Sequence, residues 1–300
     1  MSRRHSLQRG AGRWLAIAIA VGPFAGCAFT APYVGQGPHP QISRGQPIPV
    51  LDTTGNILAA PFKLLLWNKH FACHHISAET EAAFIKFLDA RTEPAFEDTK
   101  FRLNEYTPIK DLKALVTNRY MAWPYRLVLG LPTTLLSDVL LPGRLLPLGD
   151  YYNPFTNTAH LYSDDPAILM HEAGHAYDFA TFPHRGTYAL LRFVPFVDLY
   201  QEWRASDEAM RYILESEDRD AEYHAYRTLW PAFGTYVGAY APIPFGSYAG
   251  ALLGHPIAWV KVSARRRYYD RMDRVLMAPD LPQSAPAPAP TPHAVPVPAH

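Results

Sequence analysis

Apolar residues recur at helical spacing in several segments of the chain and at strand spacing in a few others. Residues 77–89, SAETEAAFIKFLD, set Ser77 as a cap ahead of an apolar stripe of Ala83, Phe84, Phe87 and Leu88, which predicts an amphipathic helix. Residues 100–106 alternate as a strand does. Residues 127–148 are apolar but broken by Pro132, Asp138, Pro142 and Arg144, which predicts a buried or membrane-surface hairpin and not a span. Residues 157–162, NTAHLY, predict a short edge strand directly before a helix that Asp164, Asp165 and Pro166 start and Pro183 ends. Residues 187–214 and 216–229 continue the helical pattern. The sum is an α+β chain, predominantly helical.

Residues 231–260 contain no Asp, Glu, Lys or Arg, and Gly246, Gly250 and Gly254 stand four apart within them. Small residues at that spacing let helices approach closely. Two readings stay open: a membrane-inserted hairpin, against which Pro242, Pro244 and Pro256 count, or a glycine-rich packed surface.

The two ends cannot join a core. MSRRHSLQRGAGR is basic, and WLAIAIAVGPFAG after it is too short for a comfortable span. With Ala25-Gly26-Cys27 it resembles a bacterial lipoprotein signal, although Phe24 stands where leucine is usual. That resemblance implies cleavage before Cys27, lipidation of Cys27, and a lipid-anchored protein of the bacterial cell envelope. Ala28 after the cysteine implies the outer membrane, facing the periplasm. The expected organisation is a signal peptide over 1–26, a flexible tether over 27–50, one domain over 51–275, and a Pro/Ala-rich disordered tail over 276–300. Of two cysteines, Cys73 then has no intrachain partner. The formal charge of +1 gives no electrostatic case for a nucleic-acid partner.

The chemistry concentrates in ILMHEAGHAYDF. His171 and His175 lie one helical turn apart on one face, with Glu172 on the flank. This H-E-x-x-H spacing suits two imidazoles on a zinc ion and a carboxylate that serves as general base. Catalytic zinc takes a third protein ligand. A third histidine in the extended motif is excluded, because Asp178 and Thr181 occupy its glycine and histidine positions. A carboxylate on a later helix is the alternative. Glu202 shares a face with Ala205, Ser206, Ala209 and Ile213, small enough to press against the histidine helix. Asp198 and Glu222 remain open as alternatives. Arg204, Glu208, Arg211 and Glu215 read as a solvated stripe on another face.

His171-Glu172-Ala173-Gly174-His175 with Glu202 downstream resembles the gluzincin branch of the zincin metallopeptidases, and residues 153–179 resemble uncharacterised bacterial zincin-like lipoproteins. Ser206 stands where the gluzincin pattern E-x-x-x-D has its aspartate. The resemblance implies a zincin-like catalytic domain, one Zn²⁺ on His171, His175 and Glu202, Glu172 as general base, and hydrolysis of a peptide or protein substrate. Asp178 is expected to orient an imidazole, and Tyr223 and His224 are candidate oxyanion donors. The strand at 159–162 could pair with an extended peptide, with His160 on an edge strand. His70, Cys73, His74 and His75 form a compact group without the spaced pairs of a structural zinc module, and suit packing before the Ser77 helix. Two other classes stay open: a non-catalytic envelope protein on a zincin scaffold, and a metal-handling lipoprotein.

Overall fold

The computed structural model describes residues 39–140 and 149–277. The segment read as a signal peptide, Cys27, most of the expected tether and nearly all of the Pro/Ala-rich segment lie outside the described residues. Among the described residues the chain runs β1 (Ile42–Arg44), α1 (Pro49–Leu58), α2 (Ala60–Leu65), α3 (Ala78–Asp89), α4 (Pro94–Glu97), β2 (Lys100–Leu103) and α5 (Pro108–Thr117). Then come α6 over residues 123–140, β3 (Tyr151–Asn153), β4 (Thr158–Leu161), α7 (Pro166–Thr181), α8 (Arg185–Leu191), α9 (Val197–Glu215), α10 (Arg219–Ala239) and α11 (Gly246–Met277). The architecture is α+β, mostly helical, with one small mixed sheet.

The sheet has the order β1-β2-β4-β3. β1, β2 and β4 are parallel, and β3 runs antiparallel to β4. This corrects the expected edge strand: β4 is interior, and β3 holds the edge. It also moves the start of the folded domain, because β1 falls inside the segment read as a tether. One face of the sheet carries Phe101, Leu103, Ala159 and Leu161 into a core with Phe84 and Phe87 of α3 and Leu169, Ala173 and Ala176 of α7. The period of two sends Arg102 and His160 to the other face.

The expected cap of α3 is present, with Ser77 accepting from Thr80 N. Asp164 completes it by accepting from both Ser77 N and Ser77 Oγ. Asp165 caps α7 through Ala167 N, and Pro166 takes the first helical position. Of the hairpin expected over residues 127–148, residues 141–148 lie outside the described residues; up to residue 140, α6 is a continuous helical run in which wider π-turns interrupt the α-helix. Residues 187–214 are not one helix either. The chain breaks at Arg192–Phe196, where Phe196 adopts φ 68°.

α10 and α11 form an antiparallel helical pair in backbone contact. A Cβ on Gly250 would stand 1.9 Å from Gly234 O, and one on Gly246 2.2 Å from Gly238 O. The glycine spacing therefore serves helix packing. No helix among the described residues is long and apolar enough to cross a membrane.

Candidate metal centre

α7 and α9 cross so that His171, His175 and Glu202 converge. His171 Nε2 and His175 Nε2 lie 3.2 and 3.3 Å from Glu202 Oε2. Tetrahedral zinc with N and O ligands at about 2.0–2.1 Å separates neighbouring ligand atoms by roughly 3.3 Å. The three groups thus fit such an ion by donor type and by spacing. The crossing rests on small residues, with Ala173 and Ala176 of α7 and Ala205 and Ala209 of α9 almost fully buried. Glu202 lies on the small-residue face of α9, as its spacing predicts. Asp198 and Glu222 lie elsewhere: Tyr240 donates to Asp198, and Arg265 and Tyr269 bind Glu222.

Burial opposes the charge on Glu202, but His175 and His171 outweigh it and hold the carboxyl well below the usual glutamate range. Its other oxygen accepts from Arg192, and the Tyr236 hydroxyl also bonds to the carboxylate. In the tautomer that leaves Nε2 free to ligate, His171 Nδ1 donates to Ser206 Oγ at 3.1 Å. The residue at the aspartate position of the gluzincin pattern thus touches the imidazole it would orient.

Glu172 is buried and is not among the converging ligands. Desolvation pushes its carboxyl up to about 8, opposed by His171 and reinforced by Asp150 and Glu202. It lines two cavities, one on each side of the site. One, of about 310 Å³, also contains His171, Asp150, Phe71 and Tyr236. The other, of about 330 Å³, contains His175, Arg192, Tyr151, Tyr152 and again Tyr236.

Several expected roles are not met. Asp178 does not orient an imidazole; it accepts from Arg204 and Tyr188 and ties α7 to α8 and α9. Tyr223 stacks edge-on against Tyr269, and His224 bonds Asp165 at 2.9 Å beneath the α7 cap, so neither is an oxyanion donor. Glu208 is not on a solvated stripe. It is buried and paired with Arg91 as well as Arg211. His160 faces away from the cleft. Cys73, His74 and His75 sit before α3, with Cys73 Sγ donating to His75 O, and the group is not a metal cluster among the described residues. Arg192 and Tyr236 are the site residues that sequence reasoning missed. Tyr236 had a faint signal: it lies midway between Gly234 and Gly238, on the face of α10 opposite the one that meets α11.

No family model, curated protein or solved structure matches the chain.

Proposed function

We propose that the protein is a zinc-dependent metallopeptidase of the bacterial envelope, with a zincin-like site of gluzincin type. One observation carries this reading: two imidazole nitrogens lie 3.2 and 3.3 Å from one carboxylate oxygen, the separation of neighbouring zinc ligands, beside a buried glutamate outside that cluster. His171, His175 and Glu202 would hold one zinc ion. When bound, zinc supplies a Lewis acid that polarises a carbonyl and lowers the pKa of water toward about 7. Glu172 would accept a proton in its ionised form, which a cation on the neighbouring histidines favours, and return it to the leaving amine. Arg192 and Tyr236 border the same space; Arg192 has further N–H groups, and Tyr236 would turn its one O–H from Glu202 to a carbonyl oxygen that gains charge.

The two cavities suit an extended peptide running past Glu172. β3, the edge strand of the sheet, lines one of them and is the strand that such a chain would extend. Lipidation at Cys27 would place the enzyme at the periplasmic face of the outer membrane. Exposed Leu252, Leu253, Trp259 and Val260 on α11, with Trp67 beside Trp259, favour additional contact with the lipid surface.

The test is metal analysis and hydrolysis of an unbiased peptide mixture by wild type, Glu172→Gln and His171→Ala. Glu172→Gln should keep zinc and lose about 10²–10⁴-fold in rate, the contribution of general-base assistance. His171→Ala should lose both zinc and activity. A Glu172→Gln variant that cleaves at the wild-type rate removes the peptidase reading. A wild type that holds zinc at these residues and cleaves nothing favours the non-catalytic scaffold.

A further inference from the structure

A second constellation lies on the opposite face of the sheet from the α7 histidines. His160 of β4 is buried and faces Asp111 of α5 and Asp138 of α6. There its Nε2 stands 3.4 Å from Asp111 Oδ1 and 4.0 Å from Asp138 Oδ1, with all three side chains no more than 3% exposed. One ligand atom from each residue lies within 4.8 Å of the others. Asp138 is anchored, since Tyr151 donates to Oδ1 at 2.9 Å and Asn153 to Oδ2 at 2.8 Å. The other two residues are not. Both carboxylate oxygens of Asp111 and Nε2 of His160 are buried without a hydrogen-bond partner. Arg102 Nη1 lies 2.6 Å from Asp111 Oδ1, but its hydrogens go to Thr107 O and Thr107 Oγ1. Asp111 Oδ1 thus has an ion pair with Arg102, but Asp111 Oδ2 and His160 Nε2 have neither a hydrogen bond nor an ion pair to Arg102. Buried polar atoms are nearly always partnered, so these two call for an occupant.

We propose that His160, Asp111 and Asp138 bind a second divalent cation with a structural role. One imidazole nitrogen and two carboxylate oxygens form a donor set for zinc or manganese, not for a metal that prefers thiolates. The charge suits a dication: two carboxylates are offset only by Arg102. Tyr151 and Asn153 fix Asp138 from behind, as outer hydrogen bonds fix metal ligands. His160 also stacks on Tyr151, with ring centroids 4.8 Å apart. Tyr151 and Asn153 belong to β3 and line the cavity that holds His175. The ion would therefore tie α5 and α6 to β4, beside the β3 edge that borders the cleft. The rival occupant is a proton on His160, which would also offset the carboxylates.

Metal analysis of the full chain, loaded with zinc chloride and desalted, separates these. Two zinc ions per chain are expected in wild type, one in His171→Ala, one in His160→Gln and none in the double variant. His171→Ala holding no zinc overturns the proposal and leaves the protonated imidazole as occupant. His160→Gln holding as much zinc as wild type overturns it too. If His160→Gln fails to fold, the His171→Ala stoichiometry alone decides. A wild type with one ion, kept in His171→Ala and lost in His160→Gln, would support this site while removing the zinc reading of the α7 histidines. Cobalt-loaded His171→Ala gives a second readout: visible absorption is expected, and its absence overturns the site.

Discussion

A Cβ on Gly174 would stand 2.4 Å from the carbonyl oxygen of Ala205. This contact sets how closely α7 and α9 approach. Ala205 lies three residues after Glu202, so it also sets the reach from Glu202 to the histidines. Gly174→Ala gains up to about 1 kcal/mol in helix propensity. Forcing a methyl into packed backbone costs roughly 1–3 kcal/mol. The second effect wins, because neither backbone can move aside as a flexible side chain could. Gly174→Ala should lower stability in a denaturant titration and weaken zinc binding by about tenfold, the equivalent of 1.4 kcal/mol. Unchanged zinc affinity would show that the helices can separate without moving Glu202.

Tyr236 reaches the site from α10 and borders both cavities. Burial and the Glu202 charge beside it push its hydroxyl well above the usual tyrosine range, with Glu202 the larger cause, so it stays protonated and can donate. Tyr236→Phe should retain zinc and lose about 10²–10³-fold in kcat, the cost of one oxyanion donor, with KM little changed. A variant with wild-type kcat assigns Tyr236 to holding Glu202 and nothing more.

The parts of the site legible in the sequence are those set by local rules. Asp165, Pro166, the i, i+4 histidines and the small face of α9 each announce themselves within one or two turns. Arg192 and Tyr236 do not, because tertiary packing brings them in. Arg192 sits where an apparently continuous helical pattern is broken by Phe196 in the left-handed region. Asp178 has suitable spacing from His175, but at three residues on it points to Arg204 and Tyr188 instead. The sheet order is hidden in the sequence for a similar reason. β3 and β1 are three residues each, too short to show alternation, and without β3 the interior strand β4 looks like an edge.

Asp164 predicts an acid-sensitive link between α3 and α7. Burial pushes its carboxyl up, but His70 3.7 Å away and hydrogen bonds from Thr80 and from Ser77 N and Oγ outweigh this and hold it far below the usual range. A depressed folded-state pKa contributes stability that is present above the unfolded value, about 3.9, and lost as pH falls through the folded value. Stability should therefore decline below about pH 4. Asp164→Asn should cost roughly 1.5–3 kcal/mol at pH 7, as hydrogen bonds to a charged group do. It should cost much less at pH 2. Denaturant titrations at the two pH values check this; an equal loss at both would mean that the charge on Asp164 is not what stabilises the junction.

Removing metal should weaken the fold without abolishing it. Zinc that binds only the folded state at 1,000 times its Kd stabilises by about 4 kcal/mol, so chelation should lower Tm by that equivalent. Glu202 does not become an unpartnered buried charge when the ion leaves. Arg192 and Tyr236 bond its carboxylate, and both imidazoles lie within about 3.3 Å of it. The metal-free chain should therefore stay folded, unlike small zinc domains, whose metal-free chains unfold. The same geometry makes Arg192 matter most in the metal-free state, where it is the nearest fixed positive charge on Glu202. Arg192→Met should therefore lower Tm more after chelation than before it. The guanidinium is two-fifths exposed, so the loss stays well under the 3–5 kcal/mol of a broken buried pair. Differential scanning calorimetry of wild type and Arg192→Met, each with zinc and after chelation, gives the four values needed. Equal losses in both states would mean that zinc and Arg192 do not share the task of neutralising Glu202.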